Sequence, residues 1–128
     1  MLARTPPPDQ PVVTLTLPAP PSTNELWRHH NGRRVRTGVY NDWRGHAGWM
    51  LRQQHPTPLV GNVLAVVSVE RARLSADIDN RIKALWDLLV AHGVIEDDSK
   101  IVGFCAAWAP PANKLARIML IPAGDYPF

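Results

Sequence analysis

The stretch SADIDNRIKALWDLLVAHGVIEDDSK, which occupies residues 75–100, decides the fold of this 128-residue chain. Apolar residues recur in it at helical spacing, namely Ile78, Ile82, Leu85 and Leu89. This spacing predicts a helix with one buried stripe. Gly93 suits the position just past a helix C-terminus, where a left-handed backbone is needed. The stretch therefore predicts a single helix with a defined start, face and end.

Carboxylates stand at both ends of this predicted helix. Asp77 and Asp79 lie just before it or in its first turn, and Asp97 and Asp98 follow its end. Carboxylates that met at one point would repel one another, and a divalent cation would relieve that repulsion. Mg²⁺ prefers oxygen ligands and is commonly held by one or two carboxylates together with substrate phosphate. The alternative interpretation is that the first pair caps the helix and the second pair forms a turn.

The sequence lacks the spacing of a structural zinc site. Cys105 is its one cysteine, and no His-x-x-x-His or Cys-x-x-Cys motif occurs. We expect Cys105 to fill a small space in the core. The more specific interpretation of the acids is that they bind a hard metal ion for phosphoryl transfer.

Length and composition indicate one folded domain. Apolar residues make up 45% of the chain, and no apolar run approaches the length of a membrane span. The proline-rich residues 1–8 contain no signal-peptide core, and the single cysteine suits a reducing interior, so we expect a cytoplasmic protein. The net charge of +3 permits a nucleic-acid partner without demanding one.

The elements follow the order β-α-β-α-β-β, which predicts an α/β (α+β) fold with helices packed on a mixed sheet. The remaining elements are strands at 12–17, 63–70, 101–108 and 115–121 and a helix at 37–54. The valine-rich strand 63–70 suits a central strand covered on both faces. We expect one domain over residues 12–122, with a loose tail at 1–11 and another at 123–128.

A basic segment precedes the first helix. It surrounds the turn signal Asn31-Gly32 and contains Arg28, His29, His30, Arg33, Arg34 and Arg36. Guanidinium groups match phosphate oxygens, so a basic loop or hairpin tip that binds phosphates is the functional interpretation. The alternative is a solvated surface loop. Thr37 is suited to cap the helix that follows, with Arg44 and Arg52 on its polar side.

Geometry opposes a simple metal site. The two ends of a straight helix of about 13 residues lie about 20 Å apart. Asp98 can join Asp77 and Asp79 only if the helix is shorter than predicted, if the loop doubles back, or if a second subunit contributes.

Several motifs together resemble the RusA family of Holliday-junction resolvases, over about residues 12–121. The pattern consists of a strand followed by Pro20-Pro21-Ser22-x-Asn24, the basic segment, Asp77-x-Asp79-Asn80-x-x-Lys83, and Gly93-Val94-Ile95-x-Asp97-Asp98. One departure is that residues 70–75 are less basic than in the family. The resemblance implies a homodimeric, Mg²⁺-dependent endodeoxyribonuclease that cuts four-way DNA junctions by paired symmetric nicks, with Mn²⁺ as an alternative ion. Such an enzyme would lie in the cytoplasm and associate with the nucleoid when bound to DNA.

The family pattern also implies roles for individual residues. Asp77, Asp79 and Asp98 would hold the metal, Lys83 would be the active-site lysine, and Asp97 would be an accessory acid. Candidates for DNA binding are Asn24, Arg28, Arg33, Arg34 and Arg36. Lys83 lies one helical turn beyond Asp79, so the two side chains share a face, where a plain salt bridge is the alternative.

Three other functions compete with junction resolution. The chain would be a non-catalytic, structure-selective DNA-binding protein if its acids only capped helices and turns. It would be a general metal-dependent nuclease if it cut linear DNA equally well. A nuclease that acts on RNA is the third alternative.

Overall fold

The computed structural model describes residues 9–21, 27–70 and 78–125. The elements in chain order are β1 (Val13–Pro18), β2 (Trp27–His30), β3 (Arg33–Arg36), α1 (Gly38–Gln53), β4 (Asn62–Glu70), α2 (Ile78–Ala91), a 3₁₀ turn (Asp98–Lys100), β5 (Ile101–Ala109) and β6 (Leu115–Gly124). The predicted α+β class and the order of the main elements are confirmed. The sequence did not predict that β2 and β3 are strands in their own right.

Four strands form a mixed sheet in the order β1-β6-β4-β5. β4 pairs with β5 in parallel, and β6 pairs with both β1 and β4 in antiparallel register. The parallel pair requires a crossover, which α2 and the loop after it provide. β4 therefore leads into the segment before α2, and the loop after α2 leads into β5.

The basic segment is a separate two-stranded hairpin, in which Trp27 pairs with Arg36 and His30 pairs with Arg33. Asn31 and Gly32 form its turn with φ values of 50° and 73°. Two left-handed residues in succession suit the two-residue turn that matches the twist of an antiparallel pair. Of the two forms predicted for this segment, a basic loop or a hairpin tip, the structure shows the hairpin tip.

One face of the sheet carries the core. Alternate strand residues such as Leu17, Val67 and Leu120 are buried in one cluster with residues of both helices. Among the described residues, the opposite face is exposed to solvent near its centre, since Val66 is 46% exposed and Met119 is 40% exposed. β4 is central, as predicted, but the expectation that both its faces are covered was wrong, because both helices share one layer.

The edge strand β5 overturns another expectation. Cys105 pairs with Val66 across the β4–β5 ladder and is exposed, so it does not fill the core. Its neighbour Phe104 points to the helix side and meets Trp86 edge-on, at 5.7 Å between ring centroids. The alternation of strand side chains puts these two neighbours on opposite faces.

Specific end signals bound both helices. Thr37 accepts a hydrogen bond from the Tyr40 backbone N–H at 3.1 Å and caps α1, as predicted. Gly93 has φ +70° after α2; its N–H donates to Val90, and the Val94 N–H donates to Leu89. This pair of bonds satisfies the last carbonyls of the helix in a Schellman motif. α2 therefore ends at the predicted glycine.

Contacts also occur outside the predicted domain limits of 12 and 122. The Gln10 side chain both donates to and accepts from the Val60 backbone, at 2.9 and 2.7 Å. β6 continues to Gly124, whose carbonyl accepts a hydrogen bond from the Asn62 side chain. Within the described ranges, no helix is long and apolar enough to cross a membrane.

Candidate active site

The first turns of α2 present an acid and a lysine. Asp79 lies in the first turn and is exposed, and Lys83 lies one turn further along and is exposed as well. Residues four apart share one helix face, so the carboxylate and the ammonium group lie on the same side of α2. The positive end of the helix dipole also favours an anion at Asp79.

The two acids after α2 have different surroundings. The Asp97 carboxylate accepts a hydrogen bond from the Ser99 backbone N–H at 3.1 Å and caps the 3₁₀ turn. Hydrogen bonds from the Ser99 hydroxyl and then from its backbone lower the pKa of Asp97. Turn formation, the alternative interpretation of this pair, is therefore confirmed: Asp97 caps the 3₁₀ turn and Asp98 is its first residue. Asp98 is exposed and faces two pockets.

The first of these, here called the acidic pocket, is an open cavity of about 280 Å³. Its lining residues are Asp79, Ile82, Lys83, Trp86, Asp98 and Phe104. α2 is 14 residues long, so the helix is not shorter than predicted. The loop after α2 instead returns Asp98 to a pocket that it shares with Asp79 and Lys83. The edge-on contact of Trp86 with Phe104 gives this pocket an apolar wall.

The predicted metal ligands are brought together only in part. Asp77 lies outside the described residues. Among residues 9–21, 27–70 and 78–125, no group of three His, Cys, Asp or Glu side chains is close enough to hold a metal ion. The polar groups at the acidic pocket are nevertheless carboxylates and one ammonium group, with no soft ligand beside them. Exposed carboxylate oxygens suit a hard divalent cation, so these residues fit the implied metal.

The second cavity, here called the arginine pocket, has a volume of about 300 Å³. It is lined by Arg36, Tyr40, Arg44, Asp87, Val90, Ala91, Asp97 and Asp98. The guanidinium carbons of Arg36 and Arg44 lie 5.9 and 5.7 Å from the centre of the Tyr40 ring. Asp98 lines both pockets, so they meet at this residue.

Arg81 holds the neighbouring loop against the start of α2. It is 5% exposed, donates from Nη1 to the Pro20 carbonyl at 2.6 Å, and lies 5.7 Å from the centre of the Trp108 ring. The prolines that follow β1 are thereby tied to the first turns of α2. The sequence did not single out Arg81, because nothing in its local pattern marks it as buried.

Glu70 anchors the end of β4. This residue ends β4 and is 4% exposed. The backbone N–H groups of Ala112, Asn113 and Leu115 donate to its carboxylate at 2.7, 2.7 and 3.0 Å. The hydrogen bond from Asn113 is the largest cause of its lowered pKa, which burial opposes. Glu70 thus fixes the end of β4 to the β5–β6 turn.

The predicted DNA-binding residues fall on or near the hairpin. Arg33 and Arg36 are exposed on β3, and the backbone of Arg28 and Arg34 lies in the paired strands. Asn24 lies outside the described residues. Of these residues, the structure brings Arg36 to a pocket, where it is joined by Arg44, which sequence reasoning had placed only on a polar helix face.

Comparison with known proteins gives two matches. Residues 18–119 match the model of a family described as Endodeoxyribonuclease RusA. Over 83 residues the chain is 32% identical to the crossover junction endodeoxyribonuclease RusA of Aquifex aeolicus (strain VF5). That alignment covers 63% of this chain and 66% of the relative, so it spans just under two thirds of the relative's length. The family match includes every residue of both pockets.

Proposed function

Because the chain belongs to the RusA endodeoxyribonuclease family, we propose that it is a metal-dependent endodeoxyribonuclease that resolves four-way DNA junctions. The observation that carries this proposal is that Asp79, Lys83 and Asp98 line one open pocket. Two acids and a lysine at an accessible surface suit the hydrolysis of a phosphodiester. We further propose that the protein acts in the cytoplasm, at the nucleoid when it is bound to DNA.

We assign the metal ion to Asp77, Asp79 and Asp98, with Mg²⁺ as the natural ion and Mn²⁺ as a substitute. When bound, such an ion lowers the pKa of a water molecule and offsets the negative charge of the phosphate. Lys83 supplies a further positive charge from the same helix face and would bind a non-bridging or leaving oxygen. Asp97 acts on the site by shaping the turn that presents Asp98, as its bond to Ser99 indicates.

Two nicks across a symmetric junction require two equivalent sites. A two-fold homodimer provides them, so we propose that the chain acts as a homodimer. Its mass in solution, measured by light scattering at micromolar concentration, tests this directly. A monomer at that concentration that still cuts both strands together would contradict the homodimer and leave the nuclease activity intact.

We assign a general DNA-binding role to the hairpin, through Arg28, Arg33, Arg34 and Arg36, and to Asn24 in the preceding loop. Arginine side chains on a two-stranded projection can follow a phosphate backbone without reading its sequence. Such contacts would hold junction arms beside the acidic pocket, since Arg36 also lines the neighbouring arginine pocket.

The decisive experiment compares cleavage of a synthetic four-way junction with cleavage of a linear duplex of the same sequence, with Mg²⁺ and with EDTA. We expect paired nicks in the junction with Mg²⁺ only. The Asp79→Asn variant should bind the junction but not cut it. Asp42→Asn removes an exposed carboxylate from α1 and is the matched control, which should cut normally.

Other outcomes of this experiment identify the competing functions. Equal cutting of junction and duplex would indicate a general nuclease, and preference for an RNA substrate would indicate a ribonuclease. Junction binding without cutting by the unaltered protein would indicate a non-catalytic DNA-binding protein. Any of these three results would overturn the proposed resolvase.

A further inference from the structure

One face of α1 carries a regular series of residues that the proposed chemistry does not use. The series begins at the end of β3 and continues at steps of four, through Arg36, Tyr40, Arg44, Gly48 and Arg52. The four members on α1 are spaced so that neighbours in the series share a helix face, and Arg36 adjoins them from the end of β3. The series starts in the arginine pocket, which meets the acidic pocket at Asp98.

Tyr40 gives the first two arginines a rigid support. Its side chain is 2% exposed and stacks on Trp43, with 6.0 Å between ring centroids. The Trp43 indole N–H donates to the Pro18 carbonyl at 2.9 Å, which ties both rings to the end of β1. Arg36 and Arg44 lie within 6 Å of the Tyr40 ring centre, so their positions are preorganised.

The guanidinium groups of these arginines remain available to an anion. Within the described ranges, none of the side-chain nitrogens of Arg36, Arg44 and Arg52 lies within 4.0 Å of a carboxylate oxygen. By contrast, Arg117 Nη1 lies 3.6 Å from Glu70 Oε2. Arg36 and Arg52 are exposed, and Arg44 is half-buried. A guanidinium presents paired donors that match phosphate oxygens, so each of the three suits a phosphate contact.

Gly48 occupies the position in the series between Arg44 and Arg52. A Cβ atom at position 48 would lie 2.7 Å from His92 Nε2 and 3.4 Å from Arg52 Nη1, so the imidazole occupies the space above the glycine. Burial lowers the pKa of His92 first, and the positive charges of Arg52 and Arg44 lower it further. His92 thus lies near both arginines and occupies part of the surface between them.

We propose that Arg44 and Arg52, continuing from Arg36, form a phosphate-binding track that holds the backbone of one DNA arm beside the acidic pocket. This inference rests on the proposed function. Arg44 and Arg52 are eight residues apart, about 12 Å along the helix, which is too far for one phosphate group to bridge. The ligand must therefore carry several phosphates, as a nucleic-acid strand does.

The carboxylates of the arginine pocket influence how the track contributes to DNA binding. Asp87, Asp97 and Asp98 also line it and reduce its net positive potential. The track therefore contributes position as well as affinity: it sets which phosphate of the arm lies beside Asp98. Phosphate contacts elsewhere in DNA-binding proteins fix register in the same way.

The test measures affinity for a fluorescent four-way junction in EDTA, where no cleavage occurs, across a range of NaCl concentrations. Each phosphate contact contributes about 0.9 to the slope of log affinity against log salt. We expect Arg44→Gln and Arg52→Gln each to reduce the slope by about one and the double variant by about two. Arg44→Lys retains the charge and should retain the slope.

Arg117→Gln is the matched control, since Arg117 is 55% exposed on β6 and its side chain lies on the open face of the sheet, away from α1. Its slope should equal that of the unaltered protein. Thermal unfolding of each variant checks the fold, and exposed Arg52 keeps the test valid even where Arg44→Gln unfolds.

An unchanged slope in the double variant overturns the track, and so does an equal reduction in Arg117→Gln. If the unaltered protein cuts the junction while the slope stays unchanged, only this inference fails. If the unaltered protein neither binds nor cuts the junction, both this inference and the proposed function fail. A second readout is the cleavage position, which should spread over neighbouring phosphates in the double variant and remain single in the control.

Discussion

Asp79 and Asp98 line the same pocket, although the whole of α2 and the loop after it separate them in the chain. The parallel pairing of β4 with β5 explains this proximity. Because of this pairing, α2 is the crossover between the two strands and lies on the sheet face that carries both helices. The 3₁₀ turn then brings Asp98 back towards α2 as the chain enters β5. Trp86 and Phe104 fill the space between the helix and the edge strand.

We expect the two adjacent acids after α2, Asp97 and Asp98, to have different functions. Asp98→Asn should reduce junction cleavage at least about 100-fold, because it removes a proposed metal ligand. Asp97→Ala should reduce cleavage much less and lower thermal stability, because it removes the cap of the 3₁₀ turn that presents Asp98 but no proposed metal ligand. Nicking rates and thermal unfolding measured on both variants check this. Equal loss of cleavage in both variants would contradict this difference in function.

Lys83 is expected to act in catalysis rather than in stability. Replacing it with Gln should slow cleavage about 100- to 1,000-fold, the range typical for removing a group that stabilises developing charge. Because Lys83 is exposed, the free energy of unfolding should change little. Single-turnover cleavage and urea unfolding give the two quantities. A variant with normal cleavage would show that Lys83 has no catalytic role.

Stability should depend on Glu70 at acid pH. Hydrogen bonds from Asn113, Leu115 and Ala112 hold its folded pKa below the ordinary value of 4.5, although burial opposes them. The unfolded chain therefore binds a proton at a higher pH than the folded chain. The stabilisation is complete well above pH 4.5 and is lost as the pH falls through the lowered pKa.

We expect Glu70→Gln to be less stable than the unaltered protein at pH 7 and to show a weaker decline between neutral and acid pH. Urea unfolding at a series of pH values from 7 down to 3 measures this difference. Parallel pH profiles for the two proteins would show that Glu70 does not provide the acid-sensitive stabilisation.

Two glycine substitutions are expected to have opposite effects on stability. Gly93 has φ +70°, so Gly93→Ala should destabilise the protein by about 1–2 kcal/mol. Gly45 lies within α1, and a Cβ atom there meets no atom within 4 Å, so Gly45→Ala should stabilise it by about 1 kcal/mol. Thermal unfolding at one pH tests both. Two changes of the same sign would contradict the backbone assignment at one of the sites.

Local signals in the sequence predicted local structure well. The apolar stripe and Gly93 predicted α2 and its end, Thr37 predicted the start of α1, and Asn31-Gly32 predicted the hairpin turn. Each of these features depends on contacts within a few residues, where backbone preferences and side-chain caps act directly.

Such local signals could not predict features that depend on how the helices are arranged on the sheet. The sequence pattern of β4 gave no indication that one face is exposed, and Cys105 was misplaced because its side chain lies on that face, beside Val66. The arginine pocket depends on how α1 lies against the end of α2. The spacing of Arg36, Tyr40 and Arg44 was visible, but their approach to Asp98 was not.

The resemblance to a family supplied what the residues alone left open. It chose Asp98 over Asp97 as the ligand, and the structure shows that Asp97 is occupied with its turn while Asp98 faces both pockets. It also included Asp77, which lies outside the described residues and whose role stays a prediction.

Binding of Mn²⁺, measured by titration calorimetry in the absence of DNA, tests the central claim most directly. We expect the unaltered protein and the Asp42→Asn control to bind the ion equally, and Asp79→Asn and Asp98→Asn each to bind it at least about tenfold more weakly. Unaltered Mn²⁺ affinity in both of those variants would show that the two acids do not share one metal ion.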